Sequence, residues 1–483
     1  MTDEVLKKAY DPEFFRQSGH QLVDQLADWL AAVQAGEGKV LRYISPEEVY
    51  AYEQSHFSHT VGGVSPNEFF AHYLDQTICL HHPHYIGHQT GVVSPMAALA
   101  ELAGALLDPG MGVYEQGNVG VVWERLLVRA VAQRMGMNAQ QADGVLTSGG
   151  TLGNLTALLC ARQHQLPGDA WTHGYQGRQF GFLVSEEAHY SVAKAIQAMG
   201  MGAAGIVRIP TDETGRMRSE MLKRVHAQAQ KQGIEVIGVV ANACTTGLGT
   251  YDPLEPIADF CEKHSLWLHV DGAHGAAVAF SDKYRSLIRG IERADSVVLD
   301  FHKMLMTPTL VTAVIFRRGE TSFRTFVQKA SYLWAQDEAK EWYNLAKRTW
   351  ELTKQSMSVR VMALWKIFGP QLFETHVTHL YDVARQCHEL LRAAPDFETA
   401  LDEPQSNILC YRIKPQGVAD TQLDQLNMAV RQQLVEEGDF FIVQTRAQGK
   451  LWLRSTLINP LTTPHHFAAL MDRLRHIADQ QRA

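Results

Sequence analysis

The chain has no apolar run long enough to cross a bilayer. The nearest, over 92–107, is broken by Ser94, Pro95 and Glu101, whereas a spanning helix needs about 20 apolar residues. The opening stretch, Met1-Thr2-Asp3-Glu4-Val5-Leu6-Lys7-Lys8, lacks the apolar core of a secretory signal. Cysteine is sparse: Cys79, Cys160, Cys244, Cys261, Cys387 and Cys410 are scattered without close pairs, which excludes a disulfide framework or a zinc motif and points to a reducing, cytoplasmic setting. There is no Lys/Arg tract, and the formal charge is -8. A nucleic acid is therefore not expected as a partner, nor is a membrane. No internal repeat or low-complexity segment occurs.

What is present is an ordinary globular composition, 46% hydrophobic and 20% charged, over 483 residues, too many for one core. Helical spacing marks 11–35 (Phe14, Phe15, Leu22, Val23, Leu26, Trp29, Leu30), and Ser65-Pro66 precedes a second helical stretch over 69–80. Such an arm either packs on a partner subunit or extends the core. Strands are expected over 182–184, 234–240, 266–270, 296–299 and 310–316, alternating with helices over 121–135, 152–162, 191–199 and 256–264. This rhythm predicts an α/β fold, a mostly parallel sheet covered on both faces, with ligands at the carboxyl ends of its strands. Residues 322–344 are polar and aromatic without a period and read in part as a mobile loop. Helices over 359–368, 377–391, 421–436 and 464–477, a strand over 407–413 and a hairpin over 440–456 then form a smaller α+β domain. The expected division is an N-terminal helical segment over 1–80, a large domain over 81–365 and a small domain over 366–483.

Two apolar strands end abruptly in ionisable residues. Leu266-Trp267-Leu268-His269-Val270-Asp271 delivers a carboxylate, and Val297-Val298-Leu299-Asp300-Phe301-His302-Lys303 delivers an amine. This is the pairing that pyridoxal phosphate requires: the lysine holds the cofactor aldehyde as a Schiff base, and the carboxylate pairs with the pyridine nitrogen. Either residue taken alone reads equally as a helix cap or a snorkelling lysine. Burial beside a cationic ring is expected to depress Lys303 below the ordinary lysine pKa of about 10.4. Thr147-Ser148-Gly149-Gly150-Thr151 is a glycine-rich turn between strand and helix, a phosphate cradle or a capped tight turn. His189 follows the next strand, placed to stack on a flat ring or to act as acid or base near it. Ala273 suits the face of a ring, and His302 and Thr246 are further candidate cofactor contacts. His81, His82, His84 and His88 lack acidic or cysteine partners at ligand spacing, so no metal is expected.

Together these residues resemble the group II pyridoxal-phosphate-dependent amino-acid decarboxylases, whose members act on glutamate, cysteine sulfinate, aspartate, diaminobutyrate, lysine and aromatic amino acids. The likeness runs from about Phe14 to the end. It rests on His-Pro-x-Tyr at 82–85, Thr-Ser-Gly-Gly-Thr-x-x-Asn at 147–154, Ala-His-Tyr-Ser at 188–191, Val-Asp-Gly-Ala-His at 270–274 and His-Lys at 302–303. The resemblance implies fold type I, the aspartate-aminotransferase type, in a homodimer with the active site at the interface. It implies that Lys303 carries the cofactor, Asp271 binds the pyridine nitrogen and His189 stacks on the ring. Thr147, Ser148, Gly149 and His302 are implied to hold the phosphate, and Arg454 the substrate carboxylate. Tyr343 falls near the family's loop proton donor, with Tyr332 and Lys340 also in that loop. Tyr85, His88 and Gln89, with Trp334 from the loop, are expected around the substrate side chain.

Two departures stand out. Asp300-Phe301 replaces the Asn-Pro of many members, as in the diamino-acid branch, and Tyr114-Glu115 matches the glutamate and cysteine-sulfinate branch while Gln116-Gly117-Asn118 do not. The implied reaction is α-decarboxylation of an L-amino acid, acidic or diamino, with aromatic as a further option. The alternatives are another enzyme of the same cofactor (an aldehyde synthase, an aminotransferase or a carbon–carbon lyase) or a non-catalytic protein that binds it.

Overall fold

A computed structural model describes residues 2–57, 63–166, 168–323, 325–326 and 341–482. Its centre is a seven-stranded sheet made of β1 (Asp143–Thr147), β2 (Gln179–Ser185), β3 (Ile206–Ile209), β4 (Ile234–Asn242), β5 (Trp267–Asp271), β6 (Ser296–Asp300) and β7 (Thr312–Phe316). The order is β1-β7-β6-β5-β4-β2-β3. β7 pairs antiparallel with both β1 and β6, and the other pairings are parallel. Every residue of β1, β5, β6 and β7 is buried, as strands covered on both faces must be, which is why they read as continuous apolar runs. Six carboxyl ends therefore face one way. Asn242 pairs with Asp271, and Asp271 with Val298, so β4, β5 and β6 stop nearly level.

The helical arm comprises Thr2–Ala9, Pro12–Gln34, Pro46–Phe57 and Pro66–Gln76. Asp11 caps the second of these by accepting from the Glu13 amide, and Ser65 with Glu68 forms a capping box on the fourth. Pro46–Phe57 buries none of its residues and gave no periodic apolar signal. The interrupted run over 92–107 forms the helix Pro95–Leu107, which leaves Leu99, Leu102, Leu106 and Leu107 exposed. No helix among the described residues is long and apolar enough to cross a membrane.

The smaller sheet is antiparallel, in the order β10-β11-β9-β8, with β8 at Phe397–Thr399, β9 at Ile408–Ile413, β10 at Val443–Ala447 and β11 at Lys450–Thr456. Gln448 and Gly449 both take positive φ, 54° and 73°, the two-residue turn that matches strand twist. β3 and β8, four and three residues long, had no sequence signal of their own. Residues 84–86 are tied to this sheet: the Ile86 amide donates to the Phe441 carbonyl, Phe441 to His84 and Thr456 to Ile86. That docking carries the segment just before Gly87 across to the smaller sheet and sets it beside β11.

Candidate active site

A cavity of about 390 Å³ opens at the carboxyl ends of the large sheet. One wall is the turn after β1. Thr147 ends the strand fully buried, Gly149 takes φ +97°, and the helix Gly150–Gln165 starts there with no side chain capping its first amides. Free amides at a helix start, with a partial positive charge behind them, suit a phosphate. Gly149 is needed for its backbone angle, and a Cβ on Gly150 would stand 3.3 Å from both Asp300 carboxylate oxygens. The Ser148 hydroxyl donates to Glu351. Behind the turn, Glu124 accepts from the Leu146 amide at 2.7 Å and pairs with Lys354, both side chains having no exposure.

Asp271 closes β5. Its Oδ2 accepts from Asn154 Nδ2 at 2.8 Å and its Oδ1 from the Ala273 amide at 3.2 Å, so a carboxylate 6% exposed is compensated where it stands. Lys303 follows β6 and places Nζ 3.0 Å from Asp300 Oδ2, while Thr312 donates to Asp300 Oδ1 at 2.5 Å. Burial pushes the Lys303 ammonium down, but Asp300, with Asp271 and Cys244 further off, pushes it up by more. The amine is held above its ordinary range, opposite to the depression expected from burial beside a cationic ring. Burial likewise works to raise the Asp300 carboxyl, and Lys303 and His302 outweigh it, holding it low. His189 caps the helix Tyr190–Ala198, and its Nδ1 meets Ser191 Oγ at 2.7 Å. Its pKa is lowered, chiefly by burial. The Val311 amide donates to His302 Nδ1 at 3.1 Å, and Nε2 lies 3.6 Å from Asp300.

Lys303, Asp271, His189, Ser148, Gly149, Ala273, Thr246, His302 and Gln89 all line this one cavity. Thr147 stands behind it. Tyr85 is 2% exposed and stacks on Phe441 at 5.6 Å, and His88 tilts against the same ring. Arg454, on β11 opposite Cys410, is 5% exposed, and its Nε and Nη2 have no hydrogen-bond partner among the described residues. Burial lowers the pKa of this guanidinium, and also that of His88, to which Arg454 and Arg431 add. Tyr343 lies edge-on to Tyr114 at 5.7 Å and does not reach the cavity wall. Tyr332, Trp334 and Lys340 lie outside the described residues. Asp300 and Asn154 were not singled out for roles from the sequence, although the first was visible as a departure from Asn-Pro and the second as the last residue of a quoted motif.

The pyridoxal-dependent decarboxylase conserved domain matches residues 80–414. The chain belongs to this family. It is 30% identical over 405 residues to L-2,4-diaminobutyrate decarboxylase from Acinetobacter baumannii, covering 81% of this chain and 79% of the relative. It is 27% identical over 484 residues to aromatic-L-amino-acid decarboxylase from Bacillus atrophaeus, covering 97% and 96%. The crystal structure of mouse CSAD in apo form superposes with a TM-score of 0.89 at 24% identity, covering 97% of this chain and 99% of that one, which shows the common fold. The chain is a pyridoxal-phosphate-dependent carboxy-lyase of fold type I that acts on amino acids. Its residues fit the cofactor: uncapped amides at the cradle, a donor-stabilised carboxylate in Asp271, a primary amine in Lys303 and a small wall at Ala273.

Proposed function

We propose that this decarboxylase removes the α-carboxylate of an acidic or diamino L-amino acid, with the acidic class preferred. The observation that carries the reading is the convergence of Lys303, Asp271 and His189 on one cavity, with the buried Arg454, two of whose nitrogens lack a hydrogen-bond partner among the described residues, close enough to act on its wall residues Cys244 and His274. When bound, pyridoxal phosphate supplies an electron sink for the pair left at Cα as carbon dioxide departs. Lys303 provides the amine that tethers the cofactor, and Ser148, Gly149 and His302, with Thr147 behind them, hold the phosphate. Asp271 keeps a proton on the ring nitrogen. His189 presents a flat, uncharged imidazole to the ring face. Arg454, lacking a carboxylate partner among the described residues, binds the substrate carboxylate bidentately. Tyr85, His88 and Gln89 border the side-chain site.

Support for the acidic class comes from charge. His88 feels both Arg454 and Arg431, so the small-domain side offers a second cation to a side-chain carboxylate or sulfinate, and like charge would oppose a diamino side chain. An apolar groove of about 550 Å³ between the arm and the helix Pro95–Leu107, lined by Phe15, Leu22, Leu26, Phe70, Leu99 and Leu102, supports a homodimer in which a second copy covers it. Six free cysteines support a cytoplasmic setting.

Carbon dioxide and amine release from aspartate, glutamate, cysteine sulfinate, diaminobutyrate, ornithine and dopa tests the reading. Acidic substrates are expected to lead in kcat/KM; a lead for a diamino acid overturns the preference and leaves the reaction standing. Borohydride reduction and peptide mapping are expected to place the pyridoxyl label on Lys303. Turnover surviving Lys303→Ala would remove the mechanism.

A further inference from the structure

Behind Asp271 runs a chain of buried hydrogen bonds that no step of the reaction uses directly. Trp267 Nε1 donates to Ser296 Oγ at 2.9 Å, Ser296 Oγ meets His269 Nδ1 at 2.8 Å, and His269 Nε2 meets Asn154 Oδ1 at 2.9 Å. Asn154 Nδ2 then donates twice, to Asp271 Oδ2 at 2.8 Å and to Ser191 Oγ at 3.0 Å, and Ser191 Oγ reaches His189 Nδ1 at 2.7 Å. Asn154, Ser191, His269 and Ser296 are each at most 1% exposed.

The proton positions follow from chemistry. An ionised carboxylate only accepts, so the Asn154 nitrogen faces Asp271 and its oxygen faces His269. That oxygen needs a donor, so His269 carries its proton on Nε2. Burial holds the His269 pKa down to about 4, so the ring is neutral and Nδ1 accepts from Ser296. Ser296 is free to donate there because it accepts from the indole, which only donates. At the other end, the Ser191 hydroxyl accepts from Asn154 and donates to His189 Nδ1, which the Ser191 amide also approaches at 3.3 Å. A neutral His189 then carries its proton on Nε2. Every donor from Trp267 to His189 points one way, and the chain divides at a single amide.

We propose that Asn154, held by the His269–Ser296–Trp267 relay, is a positioning residue that fixes together the orientation of Asp271 and the tautomer of His189. Two donors on Asp271, Asn154 on Oδ2 and the Ala273 amide on Oδ1, fix the plane of its carboxylate, on which a close contact with the ring nitrogen depends. Loss of the Asn154 donor lets the Asp271 carboxylate turn, which loosens its contact with the ring nitrogen and leaves that nitrogen less protonated. The same loss frees the Ser191 hydroxyl to turn and releases the constraint on His189. This rests on the reading that Asp271 meets the cofactor ring.

The test is the nitrogen-15 signal of ring-labelled pyridoxal phosphate bound to the holoenzyme, with steady-state kinetics alongside. Asp271→Asn comes first: if the signal does not move toward the unprotonated value, the placement of Asp271 at the ring fails, whatever the relay does. If it does move, Asn154→Ala is expected to shift the signal in the same direction by a smaller amount and to lower kcat about tenfold with little change in KM. His269→Leu, which keeps Asn154 but removes its anchor, is expected to do the same more weakly. His269→Gln, which restores an N–H donor, is expected to recover most of both. A folded Asn154→Ala or His269→Leu enzyme with an unmoved nitrogen signal overturns the proposal. If neither variant folds, an unmoved signal in Ser296→Ala, which removes the proton donated to His269 together with the acceptor of the Trp267 indole, overturns it.

Discussion

Asp271, on the sheet side of the cavity, accepts from Asn154 and from the Ala273 amide, whereas Arg454, on the small-domain side, keeps two guanidinium nitrogens buried with no partner among the described residues. Both are charged groups nearly withdrawn from water, and both sit on strands. The difference is that the carboxylate is compensated within the fold, while the guanidinium on the smaller sheet has no such compensation among the described residues. A compensated carboxylate is a fixed part of the fold, and a bare guanidinium carries a standing desolvation cost that its ligand relieves. This predicts opposite responses to mutation on the two sides: loss of function without loss of stability on one, and loss of stability on the other.

Arg454→Met is the sharpest break. Truncating one partner of a buried charge pair costs about 4 kcal/mol, on the order of a thousandfold in kcat/KM. Since Arg454 has no carboxylate partner among the described residues, the melting temperature of the substrate-free enzyme is expected to hold or rise. A fall of several degrees would show that Arg454 is paired in the folded chain and that the contrast is false.

On the sheet side, Lys354→Met leaves Glu124 charged and fully buried behind β1. The expected cost is about 3 kcal/mol of unfolding free energy, read from denaturant midpoints. Cofactor affinity should fall with it, because Glu124 also holds the Leu146 amide just before the cradle. Unchanged stability would mean that the pair contributes nothing to seating the turn.

The neutral histidines at and behind the cavity wall, His274 and His269, give the sheet side its own pH signature. Burial lowers His269 to about 4 and His274 to about 3 from an ordinary 6.5. Unfolded, each takes up a proton below about 6.5, while the folded chain does not until much lower. Their stability is therefore present above pH 6.5 and is lost as pH falls from there toward 4 and 3. The slope approaches about 1.4 kcal/mol per pH unit for each ring. Urea midpoints between pH 7.5 and 4.5 measure it, and His269→Gln should reduce the slope; an equal slope in that variant would remove His269 from the account.

Sequence and structure agree unevenly across these two sides, for physical reasons. The residues on the sheet side could be read because a fully buried strand ending in Asp271 or Lys303 is an anomaly in an apolar run, and the glycine-rich turn at 147–151 has few other uses. Asn154 and His269 were hidden because their signal is a partner: nothing in a helix of Leu and Ala, or in a strand ending His-Val-Asp, tells that the two side chains meet. Tyr85 and His88 sit near Arg454 only because residues 84–86 hydrogen-bond to β11 and its neighbours across more than 350 positions of chain, a pairing that periodicity does not report. Arg454 itself was identified by resemblance alone. Pro46–Phe57 and the edge strands β3 and β8 were missed because a helix with no buried residue and strands of three or four residues leave no pattern.

The smallest predicted effect lies where the two sides meet, at the Asp300–Lys303 pair. Asp300 is the nearest group raising the amine's proton affinity, against the pull of burial, so Asp300→Asn removes that push and leaves burial to act. More of Lys303 is then uncharged near pH 7.5, and a free amine is what captures an aldehyde. Stopped-flow absorbance after mixing cofactor-free enzyme with pyridoxal phosphate should show capture about three- to tenfold faster, with its pH profile moved to lower pH. Slower capture with an unmoved profile would show instead that the carboxylate, 3.3 Å from where a Gly150 Cβ would stand, acts by shaping the cradle, and that the lysine's protonation is set by Asp271 and the sheet behind it.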